Sequence, residues 1–339
     1  MRDRRDAAFA DRESFPMIHP RRAFLRLTAG AAALAALPRA AAALDYPTRP
    51  AHIVVGFPPG LAPDIVARLI GQVLSERLGQ QFVVENRPGA GANMATEAVA
   101  HAEPDGYTLL LCVSTNTINQ TLYPHLNFDF GRDIAPVAFI GGSPFVMAVN
   151  PSLPAKTVAE FIAYAKANPG KINMASPGIG TAPHLVGELF KMMTGVDLVH
   201  VPYRGNYMPD LLAGQVQLAF VAVAPSIGYI RSDKLRALGV TSARRLPAVP
   251  DIPAIGEVVP GYEGSGWFGF GAPKGTPTAI IDKLNGEVGA IIADAKMQAR
   301  LIDLGIPPTA MTAAEFGTFI VAETAKWAKV IKFADVKPE

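Results

Sequence analysis

From Tyr46 onward, short β-branched runs alternate with longer stretches in which apolar residues recur at helical spacing. Ile53-Val54-Val55-Gly56-Phe57 reads as a buried strand, and Ile65, Leu69 and Val73 fall near one helical face, predicting a helix over 65–78. The same pattern predicts a strand over 82–84, a helix over 92–100 and a strand over 108–113. Strands that are apolar throughout and separated by helices are those of a parallel sheet covered on both faces, joined by right-handed crossovers.

A second alternating set begins at Phe145-Val146-Met147-Ala148-Val149. It predicts helices over 158–167, 184–193, 209–213 and 226–230, with strands over 172–175, 198–201, 218–223 and 235–240. The Pro-rich segment 246–261 closes this set. Beyond it, Trp267-Phe268-Gly269-Phe270 predicts a strand, and 277–293, 296–304 and 313–331 predict helices. The 339 residues suffice for two α/β domains, and the pattern suits a chain that crosses into the second and returns to the first. The expected division is 44–144 with 266–339 as domain 1, and 145–265 as domain 2.

Charge separates the first 43 residues from the rest. They hold eight Arg and four Asp/Glu, leaving 23 basic and 25 acidic residues beyond, so the formal +2 of the chain belongs to its start. A faintly acidic body gives no reason to expect nucleic acid or an anionic membrane as partner. Pro20-Arg21-Arg22-Ala23-Phe24-Leu25-Arg26, the apolar stretch 27–37 and Ala40-Ala41-Ala42-Ala43 follow the order of an export signal, too short in its apolar part to span a bilayer. Arg21-Arg22 with Phe24-Leu25 also resembles the twin-arginine signal, with an ordinary Sec signal starting at Met17 as the other route. The expected product is a periplasmic protein with a cleaved leader. Its single cysteine, Cys112, has no disulfide partner and lies far from the cleavage region.

Ligands of open α/β sheets bind beyond the carboxyl ends of strands, so the turns there carry the candidate chemistry. In Gly56-Phe57-Pro58-Pro59-Gly60-Leu61-Ala62-Pro63-Asp64 the prolines stiffen the loop, Gly60 permits close approach, and Pro63 suits the first helical turn, where unpaired N–H groups receive an anion. Asp64 either complements that helix N-terminus or selects a ligand amine. In Ser176-Pro177-Gly178-Ile179-Gly180-Thr181-Ala182-Pro183-His184, Gly178 and Gly180 are expected to expose amides, while Ser176 and Thr181 add hydroxyls; together they can hold a carboxylate without a cation. His184 is a cap or packing residue, or else a ligand contact. Ser114-Thr115-Asn116-Thr117 forms a third turn of hydroxyl and amide groups, or a loop satisfying its own backbone. Arg204, after the strand at 198–201, can pair with an anion or stay solvated, the commoner outcome for an arginine.

Catalytic arrangements are thin. Gly178-Ile179-Gly180 begins like a dinucleotide fingerprint, but Pro183 stands at the third glycine and no acidic ribose partner follows. The six histidines show no metal-ligand spacing. Ala224-Pro225-Ser226-Ile227-Gly228 resembles a nucleophile elbow only formally, since Pro225 more simply starts a helix. Neither a cofactor nor an enzymatic reaction is expected.

Several segments together resemble the Bug family, the substrate-binding proteins of tripartite tricarboxylate transporters. They include Tyr46-Pro47-Thr48-Arg49-Pro50, Val55-Gly56-Phe57-Pro58-Pro59-Gly60, Val84-Glu85-Asn86-Arg87-Pro88-Gly89-Ala90-Gly91, Asp105-Gly106-Tyr107-Thr108-Leu109-Leu110, Pro202-Tyr203-Arg204-Gly205 and Leu235-Arg236-Ala237-Leu238-Gly239-Val240-Thr241-Ser242. The resemblance spans nearly all of 46–333. It implies a two-lobed periplasmic-binding-protein (Venus flytrap) fold, two α/β domains with hinge crossovers, closing on a small carboxylate. It implies further that backbone amides and bridging waters of loops 57–64 and 176–184 hold that carboxylate, and that membrane transporter subunits are the partner of a monomeric receptor.

The expected ligand contacts are Phe57, Pro59, Gly60, Leu61 and Asp64; Ser114 and Thr115; Ser176, Gly178, Gly180, Thr181 and His184; and Arg204. The sequence departs from the family pattern at Leu61, where a glycine is usual, at Asn116-Thr117, and at Asn206. A ligand sensor for a membrane signalling partner, or a periplasmic enzyme on the same fold, are the alternatives.

Overall fold

The strand nearest the start of the described chain, β1 (Ala51–Val55), is buried at four of its five positions, as a strand covered on both faces must be. The structure, a computed structural model, describes residues 45–338, so the export-signal expectation lies outside the described residues. Helix α1 (Ala62–Leu78) turns Val66, Ala67, Leu69, Ile70 and Leu74 into the core, each large apolar side chain contributing roughly 1.5–3 kcal/mol. It ends at Gly79, whose φ of 71° lets its N–H reach Ser75 O. β2 (Phe82–Asn86), α2 (Asn93–Ala100) and β3 (Thr108–Val113) complete the first set, with β1 parallel to both β2 and β3.

Where a turn was expected, α3 (Ser114–Leu122) starts directly at the end of β3. Asn116 makes this possible: its Oδ1 accepts the Val113 N–H at 2.7 Å while its Nδ2 donates to Thr96 Oγ1. Thus a polar segment with little apolar periodicity is capped into a helix. A short α4 (Phe130–Asp133) then leads into β4 (Ile134–Val149), a 16-residue strand of which the sequence pattern marked only the second part.

β4 organises the molecule. Residues 134–144 pair antiparallel with β9 (Ser265–Pro273), and residues 145–149 pair with β7 (Leu218–Ala222) and, on the other side, with β8 (Arg236–Val240). The strand order is β2-β1-β3-β9-β4-β7-β5-β6, with β8 also on β4 and with β5 (Asn173–Ser176) and β6 (Val199–Pro202) running parallel. The sheet is therefore mixed. The parallel expectation holds for β2-β1-β3 and for β7-β5-β6, but in the second set β4 runs antiparallel to β7 and β8, and β9 runs antiparallel to both β3 and β4, because strands passing out of one half and back must run in opposite senses. The result is a two-lobed α/β architecture.

The remaining helices are α5 (Val158–Ala167), α6 (Ala182–Thr194), α7 (Met208–Ala213), α8 (Val223–Arg231), α9 (Thr278–Ala293), α10 (Ala295–Asp303) and α11 (Ala313–Phe333). The end of α11 lies in one apolar cluster with α3 and α6: Trp327, Val330 and Ile331 pack with Ile118, Leu122, Leu185 and Val186. This cluster fixes α3 beside the start of α6, which positions the site. No helix among the described residues is long and apolar enough to cross a membrane.

Candidate functional site

Two strand-to-helix loops open in the same way. Leu61 and Thr181 are the N-cap residues of α1 and α6, both extended, at φ −82° and −71°, and each is followed within two residues by a proline. Neither helix receives a side-chain cap. Pro63 and Pro183 bring no N–H, while the amides of Ala62 and Asp64, and of Ala182 and His184, donate to no other described residue. Each helix thus presents N-terminal donors with the positive end of its dipole behind them, a geometry suited to an anion.

Helix α3 connects the two loops. The backbone of Gly56 abuts Ala92, Asn119 Nδ2 donates to Gly91 O at 2.8 Å, and a side-chain carbon on Gly180 would lie 2.3 Å from Leu122 Cδ2. Gly56, the 89–92 turn, α3 and the β5–α6 loop therefore form one continuous run of contacts. The turn at 90–92 is strained, since Ala90 and Ala92 have φ of 46° and 75° around Gly91 at 63°. Two buried amide atoms beside it, Asn93 Nδ2 and Asn119 Oδ1, have no hydrogen-bond partner. Sequence reasoning missed this element, although Gly89-Ala90-Gly91 is the signal that could have found it.

The β1–α1 loop is held from below. Asp64, 3% exposed, accepts from the Gly60 N–H at 2.9 Å, from Arg68 Nε at 2.9 Å and from Asn86 Nδ2 at 2.9 Å. Burial pushes its carboxyl up, yet these three donors outweigh burial and hold it below the usual aspartate range. All of these bonds turn inward, which is the role of a loop anchor, and Arg68 offsets a charge that would otherwise repel an anion. Phe57 is half-buried and its carbonyl accepts from Asn86, while Pro59, Gly60 and Leu61 are exposed. Leu61 is 49% exposed, so it does not point into the domain core.

In the β5–α6 loop the expected amides are already engaged. Gly178 N–H donates to Ser176 Oγ at 3.2 Å and Gly180 N–H to His184 Nδ1 at 3.1 Å, while Thr181 Oγ1 donates to Gly178 O at 2.8 Å. The uncommitted donors are shifted onto the helix start. Both glycines have positive φ, 134° and 74°. Ser176 and His184 are buried, and Ser176 Oγ also lies 2.6 Å from Nε2 of His200, a residue the sequence pattern did not single out. Only the pairing of β5 with β6 brings His200 there.

Ser114 is buried in the first turn of α3, where its carbonyl accepts from Thr117 Oγ1, and Thr115 is half-buried. Arg204 is exposed in the turn after β6. No group of three or more His, Cys, Asp or Glu side chains is arranged to hold a metal among the described residues.

Comparison with known proteins places this geometry. Residues 66–336 match the family described as tripartite tricarboxylate transporter family receptor. Protein BugT of Bordetella pertussis is 35% identical over 297 residues, covering 86% of this chain and 91% of BugT. An R. palustris protein solved with adipate is 37% identical, with a TM-score of 0.74 over 87% of this chain and all of that one. MatC from Rhodopseudomonas palustris, solved with bound malate, is 30% identical, with a TM-score of 0.69 over 84% of this chain and all of its own.

Proposed function

This chain belongs to the tripartite tricarboxylate transporter receptor family, and from that premise we propose that it captures a small carboxylate in the cleft between its lobes and delivers it to a transporter in the membrane. The observation that carries the reading is the pair of uncapped, proline-opened helix starts, α1 and α6, whose preceding loops are linked through the 89–92 turn and α3. Family and neighbours are solute-binding receptors, and the residues offer amide donors in place of a nucleophile with its base. The adipate and malate of the two Rhodopseudomonas structures are ligands of the same class. Periplasmic location and a monomeric receptor complete the proposal.

We assign one lobe to 44–144 with 266–339 and the other to 145–265, supported by the change of partners along β4 at Pro144/Phe145 and by β9 pairing from Ser265. The contacts proposed for the ligand are Phe57, Pro59, Gly60, Leu61, Ser114, Thr115, Thr181 and Arg204, with Asp64, Ser176, Gly178, Gly180 and His184 shaping the loops. Leu61 together with exposed Ile65 and Met94 on the same lobe favours a ligand with one carboxylate at the loop and an apolar remainder. An apolar body gains about 25 cal/mol per Å² buried against such side chains.

A thermal-shift screen of organic acids against the exported protein tests the reading, because binding to the folded state alone raises the melting temperature. Stabilisation by one or more mono- or dicarboxylates is the expected result. Stabilisation by sugars or cations, with no response to a broad carboxylate panel, would overturn it.

A further inference from the structure

The two glycine amides of the β5–α6 loop are tied to side chains that meet at a stacked pair of imidazoles. The rings of His184, on α6, and His200, on β6, lie 3.7 Å apart between centroids at an interplanar angle of 14°. His184 Nδ1 accepts the Gly180 N–H, so it carries no proton; the ring's proton sits on Nε2, which faces Glu188 Oε1 at 3.6 Å. His200 Nε2 lies against Ser176 Oγ, the atom that accepts the Gly178 N–H and whose single hydrogen is shared between His200 Nε2 and Gly178 O. Both ends of the loop thus hang on one stacked pair.

An added proton has no harmless place to go. On His184 it must occupy Nδ1, which sets two donors against each other and frees the Gly180 amide. On His200 it leaves a cation face to face with the second ring and fixes Nε2 as a donor to Ser176. The charged groups acting on the pair among the described residues are Glu188 and Lys191, both on α6, where Lys191 Nζ is 2.9 Å from Glu188 Oε2; the facing strands bring Ser176 and His200 itself.

Resting on the reading that this loop takes the ligand carboxylate, we propose that His184 and His200 are positioning residues for the β5–α6 loop, and that protonation of the pair releases the loop and weakens carboxylate binding. Burial first, then repulsion from a second proton on His184 and from the Lys191 charge, push His200 down to about 4 against the opposing pull of Glu188, in keeping with a pair that stays neutral while the loop is set.

The test uses the full exported protein and the double variant His184→Asn with His200→Gln, whose amides keep an acceptor near the Nδ1 position and a hydrogen-bonding group near the Nε2 position but do not titrate. Adipate and malate are the calorimetric probes, measured at pH 7.5 and at pH 3.0, about one unit below the value to which His200 is pushed. The wild-type Kd should rise about tenfold more than the variant's over that range, the variant serving to cancel the ligand's own protonation. A ratio of the two proteins' Kd values constant within about twofold overturns the proposal. Hydrogen exchange of the Gly178 and Gly180 amides without ligand, corrected for intrinsic rates, is read in parallel. Loss of their protection on acidification in the wild type but not in the variant upholds the proposal, and equal protection at both pH values overturns it. If no carboxylate binds at any pH, it is the receptor reading that fails, and amide protection still decides the role of the histidines.

Discussion

Replacing Gly180 by alanine probes the contact that joins the two loops through α3. At φ +74° an L-residue at this position is strained by about 1–2 kcal/mol, and its Cβ would sit 2.3 Å from Leu122 Cδ2. Leu122 is itself enclosed by Ile118, Leu185 and Val186, so it cannot swing away freely, and overpacking adds about 1–3 kcal/mol. Gly180→Ala should therefore destabilise by about 2–5 kcal/mol. Leu122→Ala alone leaves a cavity and costs about 2–5 kcal/mol. In the double variant the clashing methyl is gone, so only the backbone strain is added to the cavity. The double variant should then lose about 1–3 kcal/mol less than the sum of the single losses. Urea unfolding of the four proteins, followed by fluorescence of the buried Trp267 and Trp327, measures this if the slopes agree. Additivity within about 0.5 kcal/mol would refute the reasoning, because it would mean that the β5–α6 loop does not rest on α3.

Three further outcomes are expected. Leu61→Gly, at a half-exposed position, should change stability by less than about 1 kcal/mol yet shift selectivity from adipate toward malate in calorimetry; an unchanged affinity ratio would remove Leu61 from the site. Asp64→Asn breaks a buried carboxylate's bonds and should cost about 1–3 kcal/mol at neutral pH. Since the folded carboxyl titrates below its unfolded value, its contribution is complete above the unfolded pKa, near ~4, and is lost as pH falls through the folded one. The variant should accordingly show a shallower acid limb in stability against pH, and identical acid limbs would contradict the anchor role. Cys112 is fully buried and burial pushes its thiol up, so a thiol reagent should leave the native protein unmodified and label it once in denaturant; rapid native labelling would show that the β3 core opens.

The sequence by itself determined most of the elements. Runs such as Ile53-Val54-Val55 and the spacing of Val158, Phe161 and Ala165 state burial directly, because an apolar side chain must leave water whatever its partner is. The starts of α1 and α6 were legible to within two or three residues, at 65 against Ala62 and at 184 against Ala182, since Pro63 and Pro183 act locally on the backbone. Loop composition also marked residues 56–64 and 176–184 before any geometry was available. Pairing was not legible. β4 spends 16 residues in two halves of the sheet, and its first part contains Pro136, Gly141, Gly142 and Pro144, which read as breakers until the register with β9 accounts for them. The donors of the site likewise depend on contacts remote in sequence. Gly178 and Gly180 look open along the chain, yet Ser176 and His184 have taken their amides, and His200 joins them only because β6 lies beside β5. Hydrophobic periodicity is a property of neighbours along the chain, whereas hydrogen-bond partners are chosen across it, so the first could be read from the residues and the second was decided by tertiary structure alone.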